Sequence, residues 1–193
     1  MNTLFPIYVK MDQIHTLLVG AGPVGLEKLE AVYRNSPQAK VCVVAEEISE
    51  DVISFVSEKP QIELHHRSFV ESDLEGKELV ILATNNAALN DKIRMLSRQR
   101  NILLNVADKP ALCDFYLGSV VQKGNLKIGI STNGKSPTMA KRLKEFLNDL
   151  LPEEIDDTLE LMQQMRDQLK GDFQEKIRVL NAHTEELITN KKI

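Results

Sequence analysis

The chain has 193 residues, 42% of them hydrophobic and 27% charged, with a formal net charge of −4. That size can bury one solid core plus a smaller appendage, and the acidic balance excludes non-specific nucleic-acid binding, which needs a strongly basic face. No apolar run reaches the length of a membrane span, and the start from Met1 to Ile7 lacks the basic region and long apolar core of a signal peptide, so a cytoplasmic protein is expected.

Thr16-Leu17-Leu18-Val19 runs directly into Gly20-Ala21-Gly22-Pro23-Val24-Gly25. An apolar strand emptying into G-x-G-x-x-G and then a helix is the dinucleotide-binding fingerprint. Gly20 makes the tight turn, Gly22 lets the backbone approach a pyrophosphate, and Gly25 lets the helix pack closely on the strand. The N–H groups and positive dipole end of that helix, about Pro23 to Asn35, favour phosphate charge. Lys40 to Ala45 reads as a second buried parallel strand, with Glu46 and Glu47 following its end. Two readings fit these acids. A carboxylate about 20 residues beyond the glycines binds the adenosine ribose and repels a 2′-phosphate, favouring NAD. Otherwise they sit on a solvated turn opening the next helix.

A helix is expected around Ser49 to Glu58, stopped by Pro60, and Ile62 to His66 alternates like a half-buried strand. Glu78 to Ala83 is another buried strand, after which Thr84-Asn85-Asn86 caps a helix carrying Leu89, Ile93 and Leu96. Asn101 to Val106 closes the set. Strands joined by helical crossovers predict an α/β, Rossmann-like parallel sheet covered on both faces. Ligand then sits at the carboxyl ends of the strands, where Gly20, Glu46, Thr84 and Asn105 fall.

After Pro110 the pattern changes. Phe115 to Val121 and Leu126 to Ser131 predict two strands joined at Lys123-Gly124-Asn125. Ser136-Pro137 starts a helix as N-cap and first residue, with Met139, Leu143, Phe146 and Leu150 on one face. Pro152 begins another, with Ile155, Leu159, Met162, Met165 and Leu169 as its stripe and Gly171 at its end. Asp172 and Glu175 have capping-box spacing for a last helix bearing Phe173, Ile177, Leu180 and Leu187. A hairpin with three helices is too small for a comfortable core of its own. It is expected to pack on the first domain or on a second copy, with dimerisation through this region.

Asp108 follows the fifth strand, in Asn105-Val106-Ala107-Asp108-Lys109-Pro110. A carboxylate at a strand's carboxyl end faces the ligand crevice and can act as acid or base; equally, Asp before a Pro-containing loop is a common turn initiator. The segment Ile130-Ser131-Thr132-Asn133-Gly134-Lys135-Ser136-Pro137 joins small hydroxyl residues, a glycine, a lysine and a helix start, which suits an anion. Lys141, Arg142 and Lys144 add positive charge. An ordinary capped helix with a solvated basic face accounts for the same pattern. The histidines are scattered: His65 and His66 lie on opposite faces of one strand, and no Cys/His cluster has metal-ligand spacing. No protein-built metal site is expected, and Cys42 and Cys113 do not suggest a disulfide framework.

The order of these pieces, from Leu4-Phe5-Pro6-Ile7-Tyr8 through the glycine segment, Leu82-Ala83-Thr84-Asn85, Asn105-Val106-Ala107-Asp108, Cys113-Asp114-Phe115-Tyr116 and the 130–137 segment, resembles the precorrin-2 dehydrogenase and sirohydrochlorin ferrochelatase family, the siroheme synthase family. The resemblance runs from about Met1 to Leu151; the remaining helices match mainly in helical character. It implies an NAD-binding Rossmann domain over 1–112, a dimerisation and substrate-cleft region over 113–151 and a helical region over 152–193. It further implies NAD-dependent oxidation of precorrin-2 to sirohydrochlorin by a homodimer, some members also inserting ferrous iron. By the same resemblance Pro23 and Val24 touch the cofactor phosphates, Glu46 and Glu47 flank its ribose, and Asp108 is the catalytic aspartate. Precorrin-2 bears eight carboxylates, which gives Ser131, Thr132, Gly134, Lys135, Ser136 and Arg142 a ligand. Thr132 stands where some relatives carry a phosphorylatable serine. The chain departs from the pattern at Gly118, often proline, and at Asn133, often glycine, where a left-handed backbone is expected. No methyltransferase region follows, so that third activity is not expected here.

Two rival readings remain. A non-catalytic, NAD-sensing Rossmann domain would bind NAD without any absorbance change on porphyrinoid addition. A chelatase with a vestigial nucleotide site would insert metal without NAD.

Overall fold

The computed structural model describes residues 2–169 together with 177–179 and 181. The expected helix end at Gly171 and most of the last expected helix, with its cap at Asp172 and Glu175, lie outside the described residues. Two compact units are present: residues up to Gly118 with Asn133–Lys135, and Ser119–Thr132 with the described residues from Ser136 on.

The first unit contains β1 (His15–Ala21), α1 (Pro23–Asn35), β2 (Lys40–Ile48), α2 (Glu50–Val56), β3 (Ile62–His66), β4 (Leu79–Leu82), α3 (Ala87–Gln99) and β5 (Leu103–Val106). The strands form one parallel sheet in the order β3-β2-β1-β4-β5. Because both faces are covered, the strands are apolar almost without interruption. Leu18, Val43 and Ile81 face α1 and α2 through Leu29, Val32 and Val52. Leu17, Val44, Val80 and Leu104 face α3 through Ile93 and Leu96. The chain passes outward from β1 to β2 and β3, then returns to the other side of β1 as β4. The order therefore reverses between β1 and β4, the topological switch point where such sheets bind ligands.

Several expected boundaries move. The second strand runs on through Glu46 and Glu47 to Ile48, because the register shifts after Val19 and Ala21 pairs with Ile48. The two acids are thus strand residues, not the start of a turn. The fifth strand starts at Leu103 because Asn101 takes a left-handed φ of 56°. Phe115–Gly118 is not strand. The preceding segment lies along β5 instead: the Asp114 N–H donates to the Leu104 carbonyl at 2.7 Å, and the Asp114 carboxylate accepts from the Leu104 N–H at 3.0 Å.

In the second unit, β6 (Ser119–Lys123) and β7 (Leu126–Ile130) form an antiparallel hairpin, followed by α4 (Pro137–Leu150) and α5 (Ile155–Gln168). Gly124 turns the hairpin at a φ of 52°. Asp156 holds the tip, accepting from the Asn125 backbone and side-chain amides at 2.7 and 3.0 Å. α4 starts where expected, its Ser136 hydroxyl accepting from the Met139 N–H at 3.1 Å, and buries Ala140. The stripe of Met139, Leu143, Phe146 and Leu150 is exposed in the single chain. Among the described residues no helix is long and apolar enough to cross a membrane.

Candidate functional site

At the end of β1 each glycine of the fingerprint has its own geometry. Gly20 sits at φ +104°, and a Cβ there would fall 2.4 Å from the Ala83 carbonyl oxygen at the end of β4. A Cβ on Gly25 would fall 2.2 Å from the Gly20 carbonyl oxygen, so the helix touches the turn. Around Gly22, by contrast, an added Cβ would meet nothing within 4 Å. Gly22 is also the N-cap of α1, without a side-chain cap, and Pro23 follows it. An uncapped helix start beside open space fits a dinucleotide pyrophosphate, with the backbone of Gly22, Pro23 and the half-exposed Val24 lining the approach.

Glu46 and Glu47 are exposed and, as neighbours on a strand, point to opposite faces. Glu46 is held in place: the Ser68 hydroxyl donates to its Oε1 at 2.6 Å, and His66 Nε2 lies 2.8 Å from its backbone oxygen. The loop carrying Ser68 is anchored in turn. Arg67 donates to both oxygens of the buried Asp73 at 2.9 and 2.6 Å. This guanidinium, with the Val70 N–H, holds the Asp73 carboxyl below the usual carboxylate range.

After β4, Thr84 accepts from the Asn86 N–H at 3.0 Å, and Asn86 caps α3 by accepting from the Leu89 N–H at 3.0 Å. Asn105 departs from its expected place in the crevice. It is buried, and its amide donates to the Phe115 carbonyl at 2.9 Å; the side chain ties down the 113–115 segment. Beside it, burial pushes the Cys113 thiol up from its ordinary pKa. Burial also acts on Asp114 to raise its pKa, but the paired Arg94 and the Leu104 N–H outweigh it and hold the carboxyl low.

Asp108 is exposed and takes a left-handed φ of 58° directly past β5. Asp is one of the few residues that tolerates this conformation, and such outliers gather at functional sites. Its carboxylate has no hydrogen-bond or ion-pair partner among the described residues. Gly20, Gly22, Gly25, Glu46, Thr84 and Asp108 therefore share the carboxyl edge of one sheet.

The 131–136 loop divides between the units. Asn133 and Gly134 both take left-handed φ values, 54° and 72°, as expected for Asn133. Asn133–Lys135 belong with the sheet unit, where a Cβ on Gly134 would lie 3.8 Å from Pro110, two residues beyond Asp108. Lys135 is exposed. In the other unit Thr132 locks the helix start: its hydroxyl accepts from the Ser136 N–H at 3.2 Å and donates to the Ser136 carbonyl at 3.1 Å. Ser131 and Arg142 are exposed in that unit. Spacing along the chain suggests no metal cluster, yet the sheet brings Cys42, Glu63 and His65 together, with ligand atoms within 4.8 Å of one another. The strand pairing of Cys42 with Glu63 creates this group, and neither strand signals it alone.

Residues 7–119 match the family described as "Putative NAD(P)-binding", and residues 123–150 match "Sirohaem biosynthesis protein central". The chain belongs to this NAD(P)-binding family. It is similar to the siroheme synthase of Vesicomyosocius okutanii subsp. Calyptogena okutanii (strain HA), 37% identical over 173 residues, which cover 90% of this chain and 36% of that protein. The siroheme synthase of Pseudoalteromonas atlantica (strain T6c / ATCC BAA-1087) is 32% identical over 169 residues, 88% of this chain and 36% of the relative. The chain thus spans little more than a third of the length of these relatives. A solved structure, SirC, precorrin-2 dehydrogenase, shares the fold with a TM-score of 0.73 over 97% of this chain and 90% of that one, at 23% identity.

Proposed function

We propose that the chain is an NAD-dependent precorrin-2 dehydrogenase, oxidising precorrin-2 to sirohydrochlorin in the cytoplasm. The observation that carries this reading is Asp108, an unpartnered carboxylate in a strained backbone position, on the sheet edge where α1 opens at an uncapped Gly22. The names of the siroheme synthase relatives and of the SirC neighbour agree with it.

The oxidation removes two hydrogens from the macrocycle, one as hydride and one as a proton, and leaves a new carbon–carbon double bond. When bound, NAD supplies the carbon that accepts the hydride. Asp108 takes the proton, a role worth roughly 10²–10⁴ in rate for a well-placed base. Glu46, steadied by Ser68, accepts hydrogen bonds from the adenosine ribose and repels a 2′-phosphate, which favours NAD over NADP. Glu47, on the opposite face, does not share that contact. Lys135, Arg142 and the Ser136 helix start bind substrate carboxylates, and Ser131, Thr132 and Gly134 shape the loop that presents them. The exposed apolar stripe of α4 joins two copies in a homodimer. Ferrous iron is a second substrate: Asp108 takes one of the two pyrrole N–H protons, releases it to solvent, and then takes the other as the metal enters the macrocycle.

The test is a single cuvette containing protein, precorrin-2 and NAD, followed by the absorbance of sirohydrochlorin and repeated with ferrous iron. Asp108→Ala is expected to keep NAD binding and lose turnover. A variant that oxidised precorrin-2 at the wild-type rate would refute the assignment. NAD binding by wild-type protein with no absorbance change would favour the sensor reading.

A further inference from the structure

We infer that Cys42, Glu63 and His65 form a binding site for a thiophilic divalent cation of the zinc type, clipping the edge strand of the sheet to its neighbour. Cys42 on β2 pairs in register with Glu63 on β3. His65 lies two residues beyond Glu63, so both project from the same face of the strand. Two ligands on alternate positions of one strand and a third directly across on the next make a compact triangle. One sulfur, one nitrogen and one oxygen atom lie within 4.8 Å of each other, and His65 Nε2 is 3.7 Å from Glu63 Oε2. A tetrahedral zinc ion, with bonds of about 2.0–2.3 Å, holds its ligands roughly 3.3–3.6 Å apart. The group therefore has to contract by about an ångström, within the rotamer freedom of the exposed Glu63 and half-exposed His65.

The donor set is the kind that selects zinc or cobalt over calcium and magnesium, since thiolate and imidazole are poor ligands for hard cations. Cys42 itself is buried against Val44 and Leu74 and fixes the inner corner of the site. The other side is open at the sheet edge and leaves a coordination position for water. The charged groups around the thiol are Lys77, Glu63, Asp73 and Arg67. Arg67 and Asp73 neutralise each other as a hydrogen-bonded pair. Lys77 favours the thiolate while repelling the incoming cation, and Glu63 supplies the compensating negative charge. A thiolate ligand must give up its proton to the cation, so binding weakens as the pH falls. Cys42 is the third residue of β2, toward the opposite end of that strand from Glu46, so the clip is separate from the nucleotide crevice.

The experiment is a titration of the chelator-stripped full chain with Co²⁺, read by the thiolate-to-cobalt charge-transfer band in the near ultraviolet. One equivalent is expected to bind with that band. Cys42→Ser removes it, His65→Gln weakens binding about tenfold or more, and Cys113→Ser leaves it unchanged. Circular dichroism of each metal-free variant checks the fold, and His65→Gln, at the exposed edge, keeps the test decisive if Cys42→Ser does not fold. The inference is overturned if wild-type protein gives no band, if the band survives Cys42→Ser or follows Cys113, or if His65→Gln binds as wild type.

Discussion

Adding one methyl group at each fingerprint glycine separates ligand binding from folding. At Gly22 the backbone is extended, φ −87° and ψ −165°, which any residue adopts, and an added Cβ meets nothing within 4 Å. Gly22→Ala therefore leaves the fold intact and narrows the freedom of the unfolded chain, a gain of about 0.4–1 kcal/mol. The same methyl stands where a pyrophosphate must approach, so NAD affinity is expected to fall at least about tenfold, or ~1.4 kcal/mol. Gly25→Ala has the opposite signature. Its Cβ would overlap the Gly20 carbonyl oxygen at 2.2 Å; the obstacle is backbone and cannot turn aside, so about 1–3 kcal/mol or more of stability is lost. Gly20→Ala adds the strain of φ +104° to an overlap with the Ala83 oxygen, with strain alone worth about 1–3 kcal/mol. Urea unfolding midpoints measured beside NAD titrations by fluorescence would distinguish the three. Gly22→Ala binding NAD like wild type, or Gly25→Ala unfolding at the wild-type midpoint, would refute the reasoning.

Acid should unfold the chain through Asp73 and Asp114. Both pKa values are lowered in the fold, relative to about 3.9 in the unfolded chain. Their stabilisation is therefore complete above that value and lost as pH falls through the folded values. Denaturation at a series of pH values checks this, and stability rising from about pH 5 to 3 would contradict it. Glu46→Gln removes the repulsion of a 2′-phosphate, so the ratio of NAD to NADP affinity should drop about tenfold; an unchanged ratio in paired titrations would move the ribose contact to Glu47. Asn86→Ala removes the cap on the Leu89 N–H and should lower stability by about 1 kcal/mol with little effect on NAD binding, as thermal unfolding with and without cofactor would report.

Much of the first unit is legible along the chain because burial and backbone geometry leave local marks. Leu17 to Val19 and Val41 to Ala45 are apolar without a break, as strands covered on both faces must be. Gly20 and Gly25 occur where a side chain would strike Ala83 or the turn itself, and Asn133 occupies a left-handed position that few residues tolerate. What tertiary structure alone decided depends on register and on which segments meet. The slip after Val19 drew Glu46 and Glu47 into β2. Packing of the 113–115 segment along β5 turned Asn105 inward and delayed the hairpin until Ser119. Cys42 became the neighbour of Glu63 and His65 only through the pairing of two strands. A residue's own burial preference is written in its neighbours along the chain, whereas its partner across a sheet is selected by the packing of the whole core.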